Sequence, residues 1–224
     1  MTTTAVLDTI FCAKPDDAIF LPARPYSVRF NCQVGQLALS ESEHIGNAVE
    51  VGMIKVARYF GTLGKTRHTE WLQMFYIPVP DCEVLPRDTV CVSYIKTRSI
   101  GQFEQTITRF QSQGTNLAAG VFQVGFNHHA NGDRNYYSVR FDWRDRTGEA
   151  ETAQLDRVIA FMQGSPDLYD LSGTRQMVDV SGLSGATIHQ MMAVGEAQPE
   201  LTPQQILEAV SQPALAKRGR RKGR

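Results

Sequence analysis

The sequence predicts a mainly β, α+β fold: a small barrel or strongly bent antiparallel sheet with one inserted helix, followed by a short helical C-terminal region. Three observations carry this. Apolar residues recur with period two through residues 26–147. One stretch inside that span, residues 99–111, switches to spacings of three and four. From Gly148 onward the helical period dominates.

In chain order, residues 1–25 form an extended N-terminal segment, because Pro15, Pro22 and Pro25 interrupt any regular element. Val28, Phe30, Cys32 and Val34 alternate with Arg29, Asn31 and Gln33, the pattern of a half-buried strand. Residues 49–60 form a longer β run, in which Gly52 predicts a bulge or bend. The loop Gly61–Thr66 leads to an aromatic-rich strand over residues 70–77, stopped by Pro78 and Pro80. Residues 89–96 are apolar on both faces, as a central strand requires. Ile100, Phe103, Ile107 and Phe110 suit one face of the inserted helix, while the β-branched Thr106, Ile107 and Thr108 leave a strand as the alternative. Val121–Asn127 and Tyr136–Trp143 read as a hairpin around Asn131-Gly132-Asp133.

Beyond Gly148, Leu155, Val158, Ile159 and Met162 mark a helical stripe that Gly164-Ser165-Pro166 ends. Residues 165–200 are loop-rich, with a short helix expected near Ile188–Met192. Thr202, Pro203 and Gln205 form a capping box with proline at the first helical position. Leu201 and Ile206 are placed to form its hydrophobic staple. The expected organisation is therefore 1–25 extended, 26–147 a β-rich core domain, 148–212 helices and loops, and 213–224 a disordered basic tail.

With 224 residues, 42% hydrophobic and 21% charged, the chain has the composition of a folded globular protein. No window approaches the roughly 18 apolar residues of a membrane span. The N-terminus has neither a basic n-region nor a long apolar run, so a cytoplasmic location is expected. Cys12, Cys32, Cys82 and Cys91 include no C-x-x-C pair and fit no common zinc spacing. They read as free thiols.

The net charge of zero hides an asymmetry. Residues 18–147 carry fourteen bases and eleven acids, and residues 149–212 carry nine acids against Arg157 and Arg175. Six of the last eight residues are cationic: Lys217, Arg218, Arg220, Arg221, Lys222 and Arg224. Such a run repels itself and suits contact with a polyanion, with a localisation signal or a simply solvated tail as the alternatives.

Catalytic and metal patterns lead nowhere. Gly64-Lys65-Thr66 resembles the end of a P-loop, but Tyr59 stands where the first glycine is needed and a strand follows. His128 and His129 are adjacent, so an extended backbone sends them to opposite faces. Ser181-Gly182-Leu183-Ser184-Gly185 lacks the spacing of a nucleophile elbow. The expectation is a non-enzymatic protein with no cofactor and no metal.

Basic residues interleaved with aromatics on strands are the feature that rises above background. Along 136–144, Tyr137, Val139, Phe141 and Trp143 face one way, toward the core. Tyr136, Ser138, Arg140, Asp142 and Arg144 face the other. Similar combinations occur at Arg58-Tyr59-Phe60, at Lys65 and Arg67 before Trp71, and at Tyr94 with Lys96 and Arg98. Binders of single strands use this pairing, since bases stack on rings while cations track phosphates.

These short strands, the aromatic and basic strand faces and the hairpin of Phe122-Gln123-Val124-Gly125-Phe126 with Tyr137-Ser138-Val139-Arg140-Phe141 resemble the OB-fold single-stranded-DNA-binding proteins over about residues 26–146. The resemblance implies an OB-like barrel, a groove for single strands and self-association. Two departures are plain: the bacterial family usually ends in an acidic tail where this chain ends in a basic one, and the region 149–210 is extra. The expected function is binding of nucleic acid, single-stranded DNA favoured, in replication, recombination or mobile-element biology. Its expected contacts are Arg58, Lys65, Arg67, Trp71, Lys96, Arg98, Tyr136, Arg140, Arg144 and the six tail cations. The alternative is a structural or assembly subunit of a phage, plasmid or other multiprotein complex, in which the apolar strand faces and the helix at 202–210 make subunit contacts.

Overall fold

The computed structural model describes residues 18–131 and 134–211. About 37% is strand and 29% helix, so the class is α+β. The strands are β1 (Tyr26–Ser27), β2 (Arg29–Asn31), β3 (Gln36–Ala38), β4 (His44–Gly46), β5 (Val49–Leu63), β6 (Thr66–Pro78), β7 (Cys91–Lys96), β8 (Val121–Asn131), β9 (Arg134–Arg144) and β10 (Met177–Asp179). The α-helices among the described residues are α1 (Arg98–Gln111), α2 (Gly148–Gln163), α3 (Gly185–Ala197) and α4 (Pro203–Ser211).

The contacts divide the chain into two compact units. Unit 1 takes in Leu72–Asp170 and the chain up to Ala57; unit 2 takes in Arg58–Trp71 and the chain from Leu171. The region from 148 onward is thus divided between them, with α2 in unit 1.

In unit 1 the sheet runs β1-β7-β6-β5-β8-β9, with β1 and β7 parallel and β5, β8 and β9 antiparallel. The period-two pattern of β6 sorts its side chains onto two covered faces. Leu72, Met74 and Tyr76 join one core cluster with Ile100 and Phe103 of α1. Phe75 and Ile77 join another with Val158 of α2. β7 behaves the same way, Cys91 and Ile95 against Val92, which explains why both its faces are apolar. Phe103 packs edge-on against Phe141 at 5.1 Å and lies 6.0 Å from Phe122, so the inserted helix is held by aromatic contacts.

The sheet is mixed, not purely antiparallel, and no ladder joins β1 to β9 among the described residues. Of the two expected forms, a small barrel or a strongly bent antiparallel sheet, no closed barrel is found among the described strands. The physical reason lies at the free edge of β9, which α1 covers. The Val139 amide donates to Ser99 Oγ at 3.0 Å, and Thr106 Oγ1 donates to the Phe141 carbonyl at 2.9 Å. Two buried helix hydroxyls thus satisfy edge groups that a closing strand would have used. Just beyond α1, the Tyr137 amide donates to the Cys32 carbonyl at 2.8 Å, a single contact rather than a ladder.

Other local expectations shift for identifiable reasons. The first strand stops at Asn31, because the Gly35 amide folds back onto the Asn31 carbonyl at 2.9 Å and leaves Val34 exposed. Gly52, expected at a bulge or bend, marks a close approach: a Cβ there would lie 2.6 Å from the Arg146 guanidinium. The predicted loop at 61–66 is a tight hairpin turn, with β5 reaching Leu63 and β6 starting at Thr66. In α2 the stripe is rotated. Ile159 is exposed, while Gln154 is fully buried and its Nε2 donates to the Pro78 carbonyl and to Asp88 Oδ1. Bonded polar groups fill that face of α2 beside Val158, so its apolar stripe is incomplete.

In unit 2, β10 pairs antiparallel with the far end of β5, Met177 against Gly61. Ile188, Met191 and Ile206 pack with Phe60 and Val180 into its core. The helix expected near 188–192 is longer, because Ser184 caps it by accepting from the Thr187 amide at 3.1 Å. The Thr202–Gln205 capping box forms in both directions, at 2.9 and 3.3 Å.

Candidate nucleic-acid interface

β8 and β9 are apolar on one face only. Phe122, Val124, Val139 and Phe141 enter the core, while Gln123, Gly125 and Asn127 lie across from Asp142, Arg140 and Ser138 on the other face. α2 covers the Arg144 end of this polar face, through Glu151. Along the stretch from Asp142 to Tyr136, Arg140, Asp142 and Tyr136 are substantially accessible, while Ser138 between them is buried.

Register brings His129 opposite Tyr136 and His128 opposite Tyr137, so the two histidines point to opposite faces. They lie within β8 rather than in a loop. The His129 and Tyr136 rings are 5.1 Å apart, and His129 Nε2 is 2.7 Å from Ser138 Oγ. Loss of water around the ring, then Arg98, then His128, lower the His129 pKa from its ordinary value.

α1 adds a stripe of polar residues beside β9. Arg98 Nη1 donates to Tyr136 Oη at 2.7 Å, with the guanidinium 6.0 Å from the ring centroid. Gln102 accepts from Asn127 at 3.4 Å, and Arg109 pairs with Asp142 at 3.4 Å. Arg140 approaches the same Asp142 carboxylate at 3.6 Å. Asp142 therefore stands between Arg109 and Arg140, and at the other end of this stretch of β9 the Tyr136 ring beside Arg98 keeps 36% of its surface accessible. Lys96 is exposed at the end of β7, two residues before Arg98.

Three expected contacts are not placed to touch a strand. Trp71 is 7% exposed, with its indole N–H directed to the Gly61 carbonyl, so it offers no stacking face. Arg58 is bound to Glu70. Arg144 is held between Glu50 and Glu151, whose carboxylates raise its pKa while it lowers theirs. Lys65 and Arg67 are exposed, but in unit 2, at and just after the hairpin turn. Lys217, Arg218, Arg220, Arg221, Lys222 and Arg224 lie outside the described residues, as do Cys12 and the Gly132-Asp133 turn.

Sequence reading missed His129, Gln102 and Arg109. The signal for the last two was present: Arg98, Gln102 and Arg109 are spaced by four and seven, one face of a helix.

No protein-family model, no curated protein and no solved structure matches this chain. No helix among the described residues is long and apolar enough to cross a membrane.

Proposed function

We propose that the chain binds single-stranded nucleic acid along the open face of the β8–β9 hairpin and the adjoining stripe of α1, without catalysing a reaction. The observation that carries this reading is the Arg98–Tyr136–His129 cluster: an accessible ring flanked by a guanidinium and an imidazole. A base stacks on the ring, and Arg98, Arg140 and Arg109 meet the phosphates on either side. Asp142 lies between Arg109 and Arg140 and orients them. The tail cations would add a contribution independent of sequence. The OB-like groove implied by the sequence resemblance would be this face.

The test uses labelled thymidine oligomers and a duplex of equal length, with binding followed by fluorescence anisotropy. Tyr136→Ala should weaken single-strand binding by about tenfold, since a stacked base is worth about 1–3 kcal/mol, and leave duplex binding little changed. Equal losses on both ligands, or none on either, would count against a stacking site. A chain that binds neither ligand and forms a defined oligomer would favour the assembly-subunit alternative.

A further inference from the structure

Unit 2 contains an open groove of about 590 Å³, and its charge is one-sided. Arg67 from β6 and Arg175 from the segment before β10 both line it, and both are exposed. Among the described residues, neither guanidinium has a hydrogen-bond or ion-pair partner, and no Asp or Glu lines the groove. That absence is informative against the local composition. Residues 149–212 carry nine acids and only two bases, and Arg175 is one of the two. Glu208 accepts a hydrogen bond from the lining residue Gln204 at 3.0 Å.

The wall is built with some strain. His68 has φ 46°, a left-handed conformation costly for a non-glycine residue. Its Nδ1 is 2.9 Å from the Gly195 carbonyl and its Nε2 3.0 Å from the Leu201 carbonyl. Both partners are backbone carbonyls, one at the end of α3 and one just before α4. The ring also stacks on Phe60, at 6.3 Å and 14°. Gly61 admits the other wall: a Cβ there would collide with the Gln176 carbonyl, and only close backbone approach lets β10 pair with β5. His68 thus fixes the α3–α4 link against β6, and Gly61 fixes the strand that follows Arg175.

The groove also has apolar surface, from Met177, Val178 and Leu201. Its volume falls within the ordinary range of small-molecule sites, about 300–1,000 Å³. A bare anion would leave that surface unused. We infer that this groove takes a nucleotide unit, its phosphate between Arg67 and Arg175 and its ring against the apolar floor. Planar guanidinium forks match phosphate oxygens in pairs, which suits them to the charged end. The α4 N-terminus offers few amides, because Pro203 has no N–H and the capping box occupies those of Thr202 and Gln205. This inference stands apart from the reading of the hairpin face. The unit can come from a free nucleotide or from a position within a strand, and the test separates the two.

Calorimetric titration of the full chain with AMP and with a twelve-residue thymidine oligomer provides that test. Arg67→Ala and Arg175→Ala remove exposed groups without partners, and their thermal melts should match the parent. If AMP binds and each variant weakens it about tenfold, the groove takes free nucleotides. If only the oligomer binds and each variant weakens it by a similar factor, the groove holds one position of a strand. An Arg98→Ala/Arg140→Ala chain should keep the AMP affinity unchanged and should add its own loss to that of Arg175→Ala on the oligomer. Affinities for both ligands that are indifferent to Arg67 and Arg175 would overturn the inference.

Discussion

Cys91 shows how much a single residue's environment decides. It is fully buried in the first core cluster, and its thiol donates to the Thr89 carbonyl at 3.6 Å. Burial, with a smaller effect from Cys82, pushes its pKa up to about 12. At neutral pH the thiolate, which is the reactive form, is nearly absent. Mass spectrometry of the iodoacetamide-treated native protein should find the Cys91 peptide unlabelled, with labelling complete in urea. Rapid native labelling would contradict its burial. The sequence showed a cysteine inside a strand-like run, and period two was enough to place it in the core. The same reasoning failed for Trp71. Its neighbours Lys65 and Arg67 are exposed while Trp71, farther along β6, is buried, and a sequence reading that counted aromatics beside cations could not tell where along the strand the cover begins. Arg144 failed for a different reason: its carboxylate partners Glu50 and Glu151 lie on another strand and on α2, a pairing that only the fold creates.

At the scale of elements, that Arg144 site ties β9, β5 and α2 together. Arg144, followed by other local bonds, lowers the pKa of both Glu50 and Glu151 in the folded state. Their contribution to stability is therefore present above the unfolded glutamate value, about 4.3, and is lost as pH falls through the lower folded values. Urea midpoints measured from pH 7 to pH 3 should decline on the acid side. Arg144→Met should cost about 1–3 kcal/mol at pH 7, at the lower end of what breaking a buried pair costs because the site is partly open to solvent, and should flatten that acid decline. A parent-like acid profile in the variant would remove the site from the account. α1 was legible because the apolar spacing of Ile100, Phe103, Ile107 and Phe110 changes the period there. Its role as a cover for the β9 edge was not, since Ser99 and Thr106 reveal their bonding only once β9 lies beside them. α3 was underestimated because residues 185–187, Gly-Ala-Thr, and Gly195 carry weak helical signals that tertiary packing overrides.

For the whole molecule, the mixed α+β class followed from the changes of period along the chain. The topology did not, because a two-residue parallel strand such as β1 leaves no pattern, and the division at 57–58 and 71–72 cuts through two strands whose periodicity is continuous. The open hairpin face was half legible: Tyr136 and Arg140 could be read from alternation along β9, whereas Arg98 and Arg109 join them only because α1 runs beside that strand. The central claim is that these side chains meet the phosphates and bases of a single strand. The most direct measurement is the affinity of the full chain for a labelled thymidine oligomer across a salt series, alongside the full-length Arg98→Ala/Arg140→Ala variant, so that the tail contributes equally to both. Each phosphate contact on a single strand contributes about 0.7 to the slope of log affinity against log salt, so the account predicts a slope shallower by about 1.4 and weaker binding at every salt concentration. Superimposable salt curves for the two proteins would contradict it.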